Sequence, residues 1–167
     1  MTPSPRRTRT STGPLAVRKP GGAWEARRAA EEPENAGIVR KLYECFNTRN
    51  ERGVLALHSP RAELHSFLGT VEGHKFVGCS GVREWYGDVV GSLEMQIEPG
   101  EIMAYRNYVL SIPTVHISGG GRRQSFDVGI VYELADGRIE RFFGYGRVGA
   151  AVKKLGSLLH GERELAI

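Results

Sequence analysis

The residues of this 167-residue chain best suited to proton chemistry at neutral pH are its five histidines. An imidazole ordinarily titrates near roughly pH 6.5, so it can take and return a proton where carboxylates and phenols do not. His116 is the leading candidate. It lies in phase with Tyr108, Leu110, Ile112 and Thr114 along an alternating run, and a concave position for that face would make it an acid/base. Tyr86 is the second, because its hydroxyl could donate a hydrogen bond to a developing oxyanion. Asp127 is the third. It alternates with Gly129 and Val131, a phase that equally suits a structural or interface carboxylate. His65 alternates opposite Ser66 and should face the convex side, whereas His58, His74 and His160 fall near loops or the terminus. No histidine pair at i, i+4, no Cys-x-x-Cys and no carboxylate cluster calls for a metal. Cys45 and Cys79 are too few for a disulfide framework. No Gly-x-Gly-x-x-Gly follows a strand, so neither a metal nor a nucleotide cofactor is expected. Gly119-Gly120-Gly121 before Arg122-Arg123 could cradle a phosphate, but reads as a flexible hairpin. Linear spacing suggests no Ser-His-Asp arrangement.

These side chains need elements to hold them. Apolar residues make up 40% of the chain and charged residues 25%, close to the globular average. The net charge of +4 comes from residues 1–33, leaving residues 34–167 with equal numbers of acidic and basic side chains. A nucleic-acid binder usually carries its basic patch on the folded domain, so nucleic acid is not the expected partner. Pro3, Pro5, Pro14, Pro20 and Pro33 make residues 1–33 read as a disordered basic arm. No apolar run approaches the ~20 residues that span a bilayer, and no signal-peptide core follows the first arginines. A cytoplasmic location is the resulting expectation.

From residue 34 the periodicities sharpen. Asn35 could cap a helix to about Asn47, with Ile38, Val39, Leu42, Cys45 and Phe46 as its apolar stripe. A short helix over Glu51–His58 follows, then a strand over 62–68 and a short one near Lys75–Val77. Ser80 caps a third helix that faces Val82, Trp85, Tyr86 and Val89 inward. Four strands are expected at about 94–105, 108–118, 123–134 and 138–147, the last pair joined by the hairpin signal Asp136-Gly137. A helix over 149–160 precedes a tail at 161–167. Helices followed by a run of strands is an α+β order. A curved, mainly antiparallel sheet wrapped around the N-terminal helices would form a cone with a central cavity, a natural small-molecule pocket.

Three segments carry a family resemblance: LYECFNTRNERGVLALHSPRAELH, GCSGVREWYGDV and VGIVYELADGRIERFFGYG. In order and spacing they resemble a SnoaL-like domain of the nuclear transport factor two-like superfamily, which includes ketosteroid isomerases and polyketide cyclases. The resemblance covers about residues 34–160 and implies the cone. It also implies a homodimer packed through the sheets, for which Val109, Val115 and Val131 would supply an apolar convex face. Carried over position by position, the isomerase tyrosine falls at Leu42, its base at Ser66 and its second aspartic acid near Ile130. These replacements argue against the steroid-isomerase and cyclase acid/base mechanisms. The limonene-epoxide-hydrolase set of Asp, Arg and Asp has no counterpart. What remains is an apolar, aromatic lining of Leu42, Phe46, Leu64, Ser66, Trp85, Tyr86, Val128, Ile130, Tyr132 and Tyr145. The expected function is a cofactor-free enzyme of isomerase, cyclase or dehydratase type on a small hydrophobic oxygenated metabolite. The alternative is a non-catalytic ligand-binding or regulatory module.

Overall fold

A computed structural model describes residues 22–66, 75–92 and 94–165. Its elements run α1 (Gly22–Asn47), α2 (Glu51–Ala56), β1 (His58–His65), β2 (Phe76–Val77), α3 (Gly78–Ser92), β3 (Glu94–Tyr105), β4 (Tyr108–Gly119), β5 (Arg122–Asp127), β6 (Gly129–Ala135), β7 (Arg138–Tyr145) and α4 (Val148–Leu165). One sheet orders its strands β2-β1-β7-β6-β4-β3, with β5 beside the far half of β4. All pairings are antiparallel except that of β1 with β7. This is the α+β cone, with α1 and α3 packed inside the curve of the sheet.

The curve has a local cause in the residues around Pro113. That proline lies in mid-strand and has no N–H to give to β5–β6. The single strand expected over 123–134 is therefore interrupted at Val128, whose N–H still donates to the Pro113 carbonyl at 3.1 Å. The pairing register is the same on either side of the gap. On the opposite edge of β4 the register with β3 shifts between Glu98 and Glu101. The extra residue falls at Pro99-Gly100, and a Cβ on Gly100 would stand 2.1 Å from the Ile112 carbonyl oxygen. Bulges of this kind bend a strand and increase its twist. The expected hairpin forms at Asp136 and Gly137, both with positive φ.

Two helix boundaries differ from expectation. Helix α1 starts at Gly22, runs through Pro33 and so enters the stretch read as a disordered arm. Close to Pro33 it meets the β3–β4 turn. The Glu32 carboxylate accepts the Arg106 backbone N–H at 2.8 Å, and Asn35 donates to the Arg106 carbonyl. Residues 1–21 of the expected arm lie outside the described residues. At the other end α4 extends to Leu165, taking in most of the expected tail. It packs on the convex side of the sheet, where Ala151 and Leu155 meet Tyr108, Leu110, Val131 and Phe143. Gly129 permits this approach, since a Cβ there would lie 2.5 Å from that of Ala151. The apolar convex face expected for a homodimer is therefore corrected: Val131 is covered by α4, and Val109 and Val115 belong to the inner core.

Buried His58 gives the fold a pH dependence. Its Nδ1–H donates to the Val54 carbonyl at 2.7 Å, and loss of hydration lowers its pKa below 6.5. The unfolded chain binds that proton first as the pH falls. Stability is thus full above about pH 6.5 and is lost as the pH drops below it. Urea midpoints measured from pH 7.5 to 5 should fall more steeply in the wild type than in His58→Gln. Equal slopes would contradict this.

Candidate functional site

The cone closes over a small internal space. Leu42, Tyr43 and Phe46 reach it from α1, Trp85 from α3, and Ser66 from the end of β1. Met95, Ile97, Val115, Val128, Ile130, Tyr132 and Phe142 complete it from the sheet and the Val128 break. The space between them is about 30 Å³, enough for one or two water molecules. Its walls are almost wholly apolar.

The exceptions are ordered. Tyr132 donates to the Tyr43 hydroxyl at 3.0 Å, and Tyr43 and Ser111 share a hydrogen bond of 2.7 Å. Helical spacing brings Val39, Tyr43 and Phe46 onto one buried face of α1, while strand alternation puts Ser111 on the same side of β4 as Val109 and Val115. Burial pushes the Tyr43 pKa up to about 12, against smaller lowering effects from its two hydroxyl partners. Burial also carries Tyr132 well above its ordinary value, helped by Tyr43. Both phenols therefore stay protonated at neutral pH, able to donate hydrogen bonds but not to act as bases. The second exception is Trp85. Its indole Nε1 is inaccessible to solvent and has no hydrogen-bond partner among the described residues. Native proteins leave few such groups, and each costs about 1–3 kcal/mol.

The structure sorts the expected site residues into three places. Leu42, Phe46, Ser66, Trp85, Val128, Ile130 and Tyr132 surround the space. Leu64 and Tyr86 lie in the core beside it, Tyr86 edge-on to Phe46 with a ring separation of 5.8 Å. Desolvation raises the Tyr86 pKa, opposed by the charge of Arg49. Three candidates are corrected to the convex side. Tyr145 packs with the α4 cluster. Asp127 accepts a hydrogen bond from Thr114 Oγ1 at 2.6 Å on the outer face. His116 lies there too, bonded to Ser125 and Glu98. The alternation of β4 is as expected, but the face bearing His116 is the one α4 packs against farther along, through Tyr108 and Leu110. Tyr43 and Ser111 were not anticipated. Their signals were a tyrosine four residues after Val39 and a serine in phase with Val109.

The SnoaL-like domain model matches residues 39–142, more than half of the chain, leaving out the start of α1, the end of β7 and α4. The chain belongs to the SnoaL-like family. Several solved structures share its architecture at low identity. TerC, co-crystallised with polyporic acid, is 21% identical with a TM-score of 0.62, over 72% of this chain and 96% of that one. An NTF2-like protein of unknown function from Burkholderia pseudomallei is 22% identical at a TM-score of 0.61, covering 72% and 95%. SalBIII, an epoxide hydrolase/cyclase-like enzyme in pyran ring formation of the polyether salinomycin, is 18% identical at 0.61, covering 69% and 92%. No curated protein matches the chain in sequence. At these identities the likeness establishes the SnoaL-like fold. Among the described residues no group of three or more His, Cys, Asp or Glu could hold a metal ion, and no helix is long and apolar enough to cross a membrane.

Proposed function

We propose that the cone receives a small, largely apolar molecule through one oxygen acceptor, with binding rather than acid/base turnover as its primary role. The observation that carries this reading is Trp85, a side chain of the cavity wall whose buried Nε1–H has no hydrogen-bond partner among the described residues. A carbonyl or ether oxygen would satisfy it. The aromatic faces of Phe46, Trp85, Tyr132 and Phe142 suit a flat ring system. A molecule of bicyclic size requires the walls to part, because drug-sized ligands occupy cavities of roughly 300–1,000 Å³. TerC, whose structure holds polyporic acid, supports the ligand class by analogy.

A cofactor-free isomerase or cyclase is the second reading, and the Tyr43–Tyr132 pair favours it. Two protonated phenols can stabilise negative charge developing on a substrate oxygen. Among the described residues no carboxylate or imidazole lines the cavity. Turnover there would rest on those hydrogen bonds and on folding a reactive substrate into shape.

The first reading is tested with 1-tetralone and tetralin, which differ chiefly in one carbonyl. The ketone should bind roughly tenfold more tightly, an advantage of about 1.4 kcal/mol. Calorimetry on Trp85→Phe should show that advantage gone while tetralin affinity is kept. Equal affinities in the wild type, or a preference that survives Trp85→Phe, would refute it.

A further inference from the structure

The outer face of the sheet holds a second arrangement, independent of the cavity. Strand register sets His116 of β4 opposite Ser125 of β5 and opposite Gln96 of β3, with Glu98 one step diagonal. Ser125 Oγ stands 2.6 Å from His116 Nδ1, and His116 Nε2 stands 2.8 Å from Glu98 Oε2. The tautomer follows from the partners. An ionised carboxylate only accepts, so Nε2 carries the proton shared with Glu98. Nδ1 is then bare and accepts from the Ser125 hydroxyl. Nucleophile, base and orienting carboxylate thus stand in sequence, the arrangement that activates a serine.

The backbone adds a donor. Gly120 and Gly121 both have positive φ and form a two-residue turn, which makes Gly119 and Arg122 a hydrogen-bonded pair. Alternation from that pair makes His116–Ser125 a non-hydrogen-bonded pair, the kind whose side chains come closest. The bond from Val128 N–H to the Pro113 carbonyl fits the same alternation. The N–H of Ser125 therefore points away from β4, toward the outer edge of β5. Among the described residues no other strand pairs with β5. Arg123 lies two residues along the same face of β5.

We propose that Ser125, His116 and Glu98 form a nucleophilic acyl-transfer site for small carboxylic esters on the outer face of the sheet. Ser125 Oγ attacks the ester carbonyl carbon as His116 Nδ1 takes the hydroxyl proton. The Ser125 N–H donates to the oxyanion. Collapse breaks the bond to the alkoxide, which leaves as the alcohol with the proton from Nδ1. Water, deprotonated at the same nitrogen, attacks the acyl-serine, releasing the carboxylic acid and restoring Ser125. Glu98 touches no substrate and acts by positioning His116. An ester with a carboxylate of its own would be favoured by Arg123.

The full chain is treated with a small alkyl fluorophosphonate, and the adduct is located by peptide mass mapping. A single adduct on Ser125 is expected, forming at least tenfold more slowly in His116→Gln and absent in Ser125→Ala. Glu98→Gln should slow it and alter its pH profile. The variants should bind 1-tetralone with the affinity of the wild-type chain, which separates loss of this site from misfolding. If the wild type does not bind the ketone, unchanged circular dichroism serves that purpose. No adduct on Ser125, or one that forms at the same rate in His116→Gln, would overturn the proposal.

Discussion

Tyr43→Phe should destabilise the fold by about 2–4 kcal/mol, although it removes a single oxygen atom. The reason is the position of that oxygen. It lies between Ser111 Oγ and the Tyr132 hydroxyl, which are 0% and 1% exposed and have no water to turn to. Stranding a buried hydroxyl costs about 1–3 kcal/mol, and this substitution strands two. Tyr132→Phe removes only the donor at the end of the chain and leaves the Tyr43–Ser111 bond intact. It should cost about 1 kcal/mol. Urea unfolding of the two variants checks the difference. Equal losses would mean that the three hydroxyls do not act as a chain.

Truncation before Val148 should have the largest effect on the fold. It uncovers Tyr108, Leu110, Val131 and Phe143, which α4 buries against the sheet. Each large apolar side chain gains about 1.5–3 kcal/mol from full burial, so the loss exceeds about 5 kcal/mol. That is comparable to the whole stability of a typical domain. The exposed patch would also drive association. Size-exclusion chromatography and thermal melting should show aggregation or a collapsed Tm. A monomeric truncated chain with an unchanged Tm would show that α4 is dispensable.

The sequence made the elements readable more surely than their sides. Alternation in 108–118 assigned Tyr108, Leu110, Thr114 and His116 to one face. Which face is concave depends on α4 packing against residues some 40 positions earlier, a relation no local period contains. That relation sets His116 on the outside and Val109 and Val115 on the inside. The helix stripe around Leu42 was visible, but Tyr43 has a polar tip, and its value came only from meeting Ser111 and Tyr132 across the core. Pro33 read as a helix breaker. The acceptor and donor that Glu32 and Asn35 offer to Arg106 are tertiary facts. Ser125, His116 and Glu98 are separated by 9 and 18 residues, and only the register of three strands brings them together. The unpartnered indole of Trp85 could not be read at all, since a missing partner is a property of the packed core.

The most direct measurement of the central claim is the indole ¹H–¹⁵N resonance of Trp85. The chain has two tryptophans, Trp24 and Trp85, so Trp24→Phe assigns the signal. On titration with 1-tetralone the Trp85 indole proton should move downfield and saturate, as a buried N–H gains an acceptor. Tetralin, which fills the same space without an oxygen, should produce no downfield shift. A Trp85 indole resonance that does not respond to the ketone, or that moves identically with both compounds, would contradict a cavity built around that donor.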